Sequence, residues 1–95
     1  MKIDYNFSLT GTVVKSLMGR DRKRVFIVVG GTEINGEVRL LLVNGALRPA
    51  ETPKLKNPNH VKVLGRLDES DLRELGDADN SKIMAMLEKF DICCE

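Results

Sequence analysis

Five consecutive apolar residues, Val25 to Val29 (VFIVV), stand between a charged turn and the pair Gly30-Gly31. A strand with one wet face alternates, whereas a short unbroken run of branched and aromatic residues is expected where both faces of a strand are covered. The chain around this run must therefore supply cover on two sides. Its neighbours have the same grain. Leu9 to Ser16 (LTGTVVKS) and Glu37 to Val43 (EVRLLLV) read as strands, and His60 to Gly65 (HVKVLG) as a last one. Gly19-Arg20-Asp21-Arg22-Lys23-Arg24 is a charged turn, Gly30-Gly31 breaks the apolar strand, and Ile34-Asn35-Gly36 supplies turn chemistry. Asn44-Gly45 predicts a two-residue hairpin, because both residues tolerate positive φ, with Ala46-Leu47-Arg48 starting the return strand. Pro49, Pro53 and Pro58 all fall between residues 49 and 59, which predicts an extended connector lacking ladder donors. Short strands separated by turns point to a mostly β chain forming a small barrel.

The period then changes. Asp68-Glu69-Ser70-Asp71 offers a cap and acidic first-turn residues for a short helix that Gly76 ends. Asp79-Asn80-Ser81 offers a second cap, after which Ile83, Met86, Leu87 and Phe90 fall at i, i+3, i+4 and i+7, one helical stripe. The expected organisation is a barrel with its N-terminal segment over residues 1–66 and an acidic helical extension over 67–95.

Charge divides at the same place. Residues 1–66 carry twelve Lys and Arg against five Asp and Glu, a net +7; residues 67–95 carry three against nine, a net −6. A basic body suggests a surface facing a polyanion, and a tethered acidic segment suggests a competitor for weak, non-specific partners. No stretch approaches the roughly 18 apolar residues of a membrane span. The opening Met1-Lys2-Ile3-Asp4-Tyr5 does not read as a secretory signal, so the expectation is a cytoplasmic protein without a membrane partner. Cys93 and Cys94 are adjacent and read as free thiols in a reducing compartment. Metal-ligand spacing is missing, and His60 is the one histidine. With it as the sole candidate base, Ser8, Ser16, Ser70 and Ser81 have no convincing catalytic partner, and no phosphate-loop glycine pattern occurs. We expect no enzyme, no cofactor and no metal.

Gly11-Thr12-Val13-Val14-Lys15-Ser16, Gly19-Arg20-Asp21 and Arg24-Val25-Phe26-Ile27-Val28-Val29 together resemble a KOW motif. More narrowly, the chain resembles the bacterial KOW-domain RNA-binding proteins related to the archaeal and eukaryotic ribosomal large-subunit protein fourteen. Asn44-Gly45-Ala46-Leu47-Arg48 is similar to that family's hairpin, Glu51-Thr52-Pro53-Lys54 with Lys56 to its basic connector, and His60-Val61 to its closing strand. The resemblance covers roughly residues 9 to 64. The family usually has glycine where this chain has Lys23, and its connector is often a lysine run, which Leu55, Asn57, Pro58 and Asn59 dilute here. The resemblance implies a small SH3-like barrel and RNA as the polyanion; with the helices read from the period, the expected fold is a mostly β, SH3-like barrel followed by short C-terminal helices.

Arg20, Arg22, Lys23 and Arg24 crowd one turn, where guanidinium forks match phosphate oxygens. Lys15, Arg48, Lys54 and Lys56 add charge that a small barrel can gather on the same side, and these eight residues are the candidate RNA site. Asp21 either orients a neighbouring arginine or is an exposed turn residue. Aromatics are few: Phe26 and Phe90 read as core, and Tyr5 and Phe7 as packing of the N-terminal segment. Their scarcity favours structured RNA read through phosphates, sugars and shape over stacking on single strands. His60 reads as structural, and Met84 and Met86 as packing residues. The expected function is recognition of structured RNA, ribosomal RNA or the ribosome, in translation. The alternatives are an SH3-like adaptor whose helix stripe docks a protein partner, or a paralogue with weakened RNA affinity.

Overall fold

The computed structural model describes residues 8–19, 23–45 and 53–91, the side chains of residues 89–91 excepted. The chain is mostly β, as expected. Five strands, β1 (Thr12–Ser16), β2 (Val25–Ile34), β3 (Glu37–Val43), β4 (Lys54–Lys56) and β5 (Val61–Arg66), form one antiparallel sheet in the order β4-β3-β2-β1-β5. The helices α1 (Glu69–Glu74) and α2 (Asn80–Asp91) follow, with a 3-10 turn over Leu75–Asp77 between them. A second 3-10 turn, Pro58–His60, joins β4 to β5. The arrangement is a small, barrel-like sheet with short C-terminal helices.

The VFIVV run has two covers. On one side Phe26 and Val28 pack with Val14, Leu40 and Leu42, and Val61 leans on them from β5. This is the inside of the curled sheet. On the other side Val25 and Ile27 pack with Val13 and Val43, and the cover comes from Leu67, Leu75, Ala78, Ile83, Met86 and Leu87. The helical stripe predicted from its period therefore completes the core: Ile83 is 1% exposed. The adaptor reading assigned docking to this stripe, and the buried part of it is already occupied by the sheet. Phe90, the last member of that stripe, has its side chain outside the described residues, as do Tyr5 and Phe7.

Three local expectations change. Gly30-Gly31 does not end β2. The register shifts between Val28 and Gly30, and the ladder resumes with Gly30 opposite Leu41 and Gly31 opposite Leu40. A bulge takes up Val29, which packs against the helix-covered cluster. The strand ends at the Asn35-Gly36 turn, whose φ of 52° and 81° are those a two-residue reversal requires. Asn44-Gly45 is not a second such hairpin. The strand that returns beside β3 is β4, with Leu42 opposite Lys54, so the predicted connector contains the fourth strand. Ala46-Leu47-Arg48 lies outside the described residues. Gly45, at φ 78°, instead brings the chain against α2, where an added Cβ would stand 2.4 Å from the carbonyl oxygen of Asn80. Lastly, α1 ends at Glu74, two residues before Gly76, and Gly76 lies inside the 3-10 turn Leu75–Asp77 that follows rather than closing the helix itself.

The caps are where the sequence puts them. Asp68 accepts from the Asp71 backbone N–H at 2.8 Å, and Asp79 from that of Lys82 at 2.9 Å. Leu67 N–H donates to the Gly11 carbonyl, joining the end of β5 to the start of β1. Gly11 has φ 89°, and an added Cβ there would meet Leu72 of α1 at 2.5 Å. The helical extension is therefore seated on the sheet at two close approaches, Gly11 with α1 and Gly45 with α2. Among the described residues, no helix is long and apolar enough to cross a membrane.

Candidate nucleic-acid interface

Antiparallel pairing puts the β1–β2 turn and the β3–β4 connection at one end of the sheet, because Ile27 faces Val43 near the start of β2 and the end of β3. The start of β5 joins them, with Val61 opposite Ser16. Of the eight candidate residues, Lys15, Lys23 and Arg24 meet at this end. Lys15 is half-buried on β1 opposite Val25, and Lys23 and Arg24 are exposed at the close of the turn. Arg20, Arg22 and Arg48 lie outside the described residues, as does Asp21.

The register adds Lys62, which the sequence reading missed. It stands directly across from Lys15 on β5. Two like charges at facing positions repel and destabilise a sheet, and among the described residues no acidic side chain pairs with either. The available signal was the alternation of HVKVLG, which puts Lys62 on the face opposite Val61. Seeing the pair also required the β1–β5 register, which joins residues nearly fifty positions apart.

Lys23 has φ 73°. A side chain in the left-handed region costs roughly 1–2 kcal/mol relative to the helical or extended regions, which is why glycine usually fills such positions. Here the position carries a cation instead. The turn is tied at its base: Ser16 N–H donates to the Arg24 carbonyl at 2.9 Å, and Lys23 N–H to the Ser16 carbonyl at 2.8 Å.

β4 behaves differently from the free cationic end expected of the connector. Lys54 and Lys56 lie opposite Leu42 and Leu40, the inward-facing leucines of β3. Lys56 is buried, and its ammonium donates to the Met18 carbonyl at 2.8 Å. Its stem fills the mouth of the curled sheet while its head holds the turn, so it acts first as a strut. Lys54 is half-buried and already engaged. His60 also contributes through its backbone, accepting the Leu17 N–H at 2.9 Å.

Beside the turn, Lys23, Arg24, Val25 and Asn44 face Met84, Leu87 and Glu88 of α2 across an open cleft of about 390 Å³. At the opposite end of the sheet, Arg39 is paired with Glu37 at 2.6 Å. Among the described residues no three His, Cys, Asp or Glu side chains gather as metal ligands would. Neither a family model nor a curated protein matches the chain.

Proposed function

We propose that the chain is an RNA-binding module that grips structured RNA, with ribosomal RNA as the leading class, through the end of the sheet built by Lys15, Lys23, Arg24 and Lys62. The observation carrying this reading is the facing pair Lys15–Lys62 beside a lysine in left-handed backbone. Each of these features costs folding energy, and a bound polyanion offsets the first by neutralising both ammonium groups at once. Strain of this kind persists where surrounding structure over-determines it and function uses it. The KOW resemblance supports RNA over other polyanions, and the barrel-like sheet is compatible with that family's fold. Arg20 and Arg22, adjacent in sequence, would extend the same phosphate grip.

The test is binding of a hairpin RNA across a salt series. With about four to six phosphates neutralised, log K should fall against log salt with a slope of roughly −3 to −5. Replacing Lys23, Arg24 and Lys62 together with Ala should make that slope shallower by about two to three units. Folding stability should stay level or rise slightly, because the Lys15–Lys62 repulsion is relieved, while alanine at position 23 keeps the Cβ that left-handed backbone disfavours. A tight RNA complex with a slope near zero, or one indifferent to the triple variant, would end the phosphate-grip reading.

A further inference from the structure

The β1–β2 turn opens with two apolar residues in solvent. Leu17 is 45% exposed and Met18 is 53% exposed. In a loose loop such side chains can fold down against the nearest apolar surface. Here the backbone is fixed by five hydrogen bonds. Leu17 N–H donates to the His60 carbonyl, and the Met18 carbonyl accepts from Ser16 Oγ at 3.1 Å and from Lys56 Nζ at 2.8 Å. The two bonds between Ser16 and residues 23–24 close the base. The step is thus displayed outward by a buried serine and a buried lysine.

What can cover it is limited by what surrounds it. Lys23 and Arg24 close the same turn, Arg20 and Arg22 stand between in sequence, and Lys15 and Lys62 lie on the adjoining strands. A partner drawn to this end is a polyanion and must also offer apolar surface within a few ångströms of its phosphates. A continuous A-form duplex hides its base faces in the stack, and its deep groove is too narrow for side chains. An unstacked base offers such a face, and leucine and methionine are among the side chains that wedge against opened base steps. Because the step is already ordered, little conformational entropy is lost on contact.

We propose that Leu17 and Met18 form an apolar contact for an unpaired base, so that the site takes an RNA helix interrupted by a bulge or loop in preference to a continuous duplex. Lys56 is the positioning residue. The inference rests on the RNA reading above and names the substrate class within it.

The experiment compares the full chain on two hairpins with the same stem, one carrying a single-nucleotide bulge. The unmodified protein should favour the bulged hairpin by about tenfold, the effect of burying the exposed parts of two such side chains. Leu17→Ser with Met18→Ser should erase that preference while leaving the salt slope and the paired-stem affinity as they were. Lys23→Ala with Arg24→Ala should weaken both RNAs alike and flatten both slopes. Lys56→Met, which keeps the stem and removes the donor, should reduce the bulge preference, and Lys56→Arg should restore it. Equal binding of the two hairpins by the unmodified protein, or equal weakening of both by the Leu17/Met18 variant, overturns this inference and leaves the RNA reading intact. No binding of either hairpin at low salt overturns both. Melting curves confirm that each variant is folded.

Discussion

Both faces of the sheet carry a buried apolar cluster, and the two are closed by different means. The inner face, built by Val14, Phe26, Val28, Leu40 and Leu42, is covered by the sheet curling on itself. The outer face, built by Val13, Val25, Ile27 and Val43, is covered by residues from 67 onward. The change of hydrophobic period near residue 67 marks a change of element type, and the core runs straight across it. The acidic segment that its charge suggested as a loose electrostatic competitor is half of a hydrophobic core. The segment can be both: the apolar stripe of α2 faces the sheet, while Glu69 and Glu74 of α1, Asp77 and Asp79 between the helices, and Glu88 of α2 are exposed.

That contrast can be broken most forcefully by removing residues 67–95. The outer face then loses Leu67, Leu75, Ile83, Met86 and Leu87, each worth about 1.5–3 kcal/mol when fully buried. The sum is comparable to the net stability of a small domain. The truncated chain should lose its cooperative thermal transition and aggregate. A cooperative melt close to that of the full chain would show that the curled sheet stands alone and would revive the competing-tail idea.

Single cavities compare the faces more finely. Phe26→Ala, on the inner face, should cost about 3–5 kcal/mol in denaturant unfolding, and Ile83→Ala, on the outer face, about 2–4 kcal/mol. The two losses should add if the faces respond independently. A cost for Ile83→Ala below about 1 kcal/mol would mean that α2 shifts to fill the space, so that the outer cover is the softer one.

The smallest expected effect concerns the basic end. Lys23→Gly should stabilise the fold by about 1 kcal/mol, since glycine adopts the left-handed region without strain. The same change removes a cation and should weaken RNA binding. Stability and affinity moving in opposite directions would identify Lys23 as a residue kept for its charge. Loss of both would make its side chain structural.

Much of this was legible locally. VFIVV demanded two covers and has them. Asn35-Gly36 specified its turn through backbone conformation alone, Asp68 and Asp79 their caps, and Ile83, Met86 and Leu87 their buried stripe. The misread positions all depend on distant parts of the chain. Asn44-Gly45 carries the same dipeptide as Asn35-Gly36, yet Gly45 is occupied by its approach to Asn80, thirty-five residues on. Gly30-Gly31 stays in the strand because Leu40 and Leu41 complete its ladder. Lys56 resembled a free phosphate ligand until β4 aimed it at Met18. Lys62 gained its meaning from a strand far earlier in the chain. Turn chemistry, caps and period are written in adjacent residues, whereas register and the final position of an ammonium group are decided by the whole fold.

The outer cover also has a consequence in time. Synthesis proceeds from the N-terminus, at roughly 5–20 residues per second. β1, β2 and β3 are all made before β5 exists to pair with β1, and Ile83, Met86 and Leu87 come later still. Until those residues are made, nothing in the chain can give Val13, Val25, Ile27 and Val43 their outer cover. Slow decoding through residues 67–87 should therefore lower the yield of folded protein more than equal slowing before residue 25.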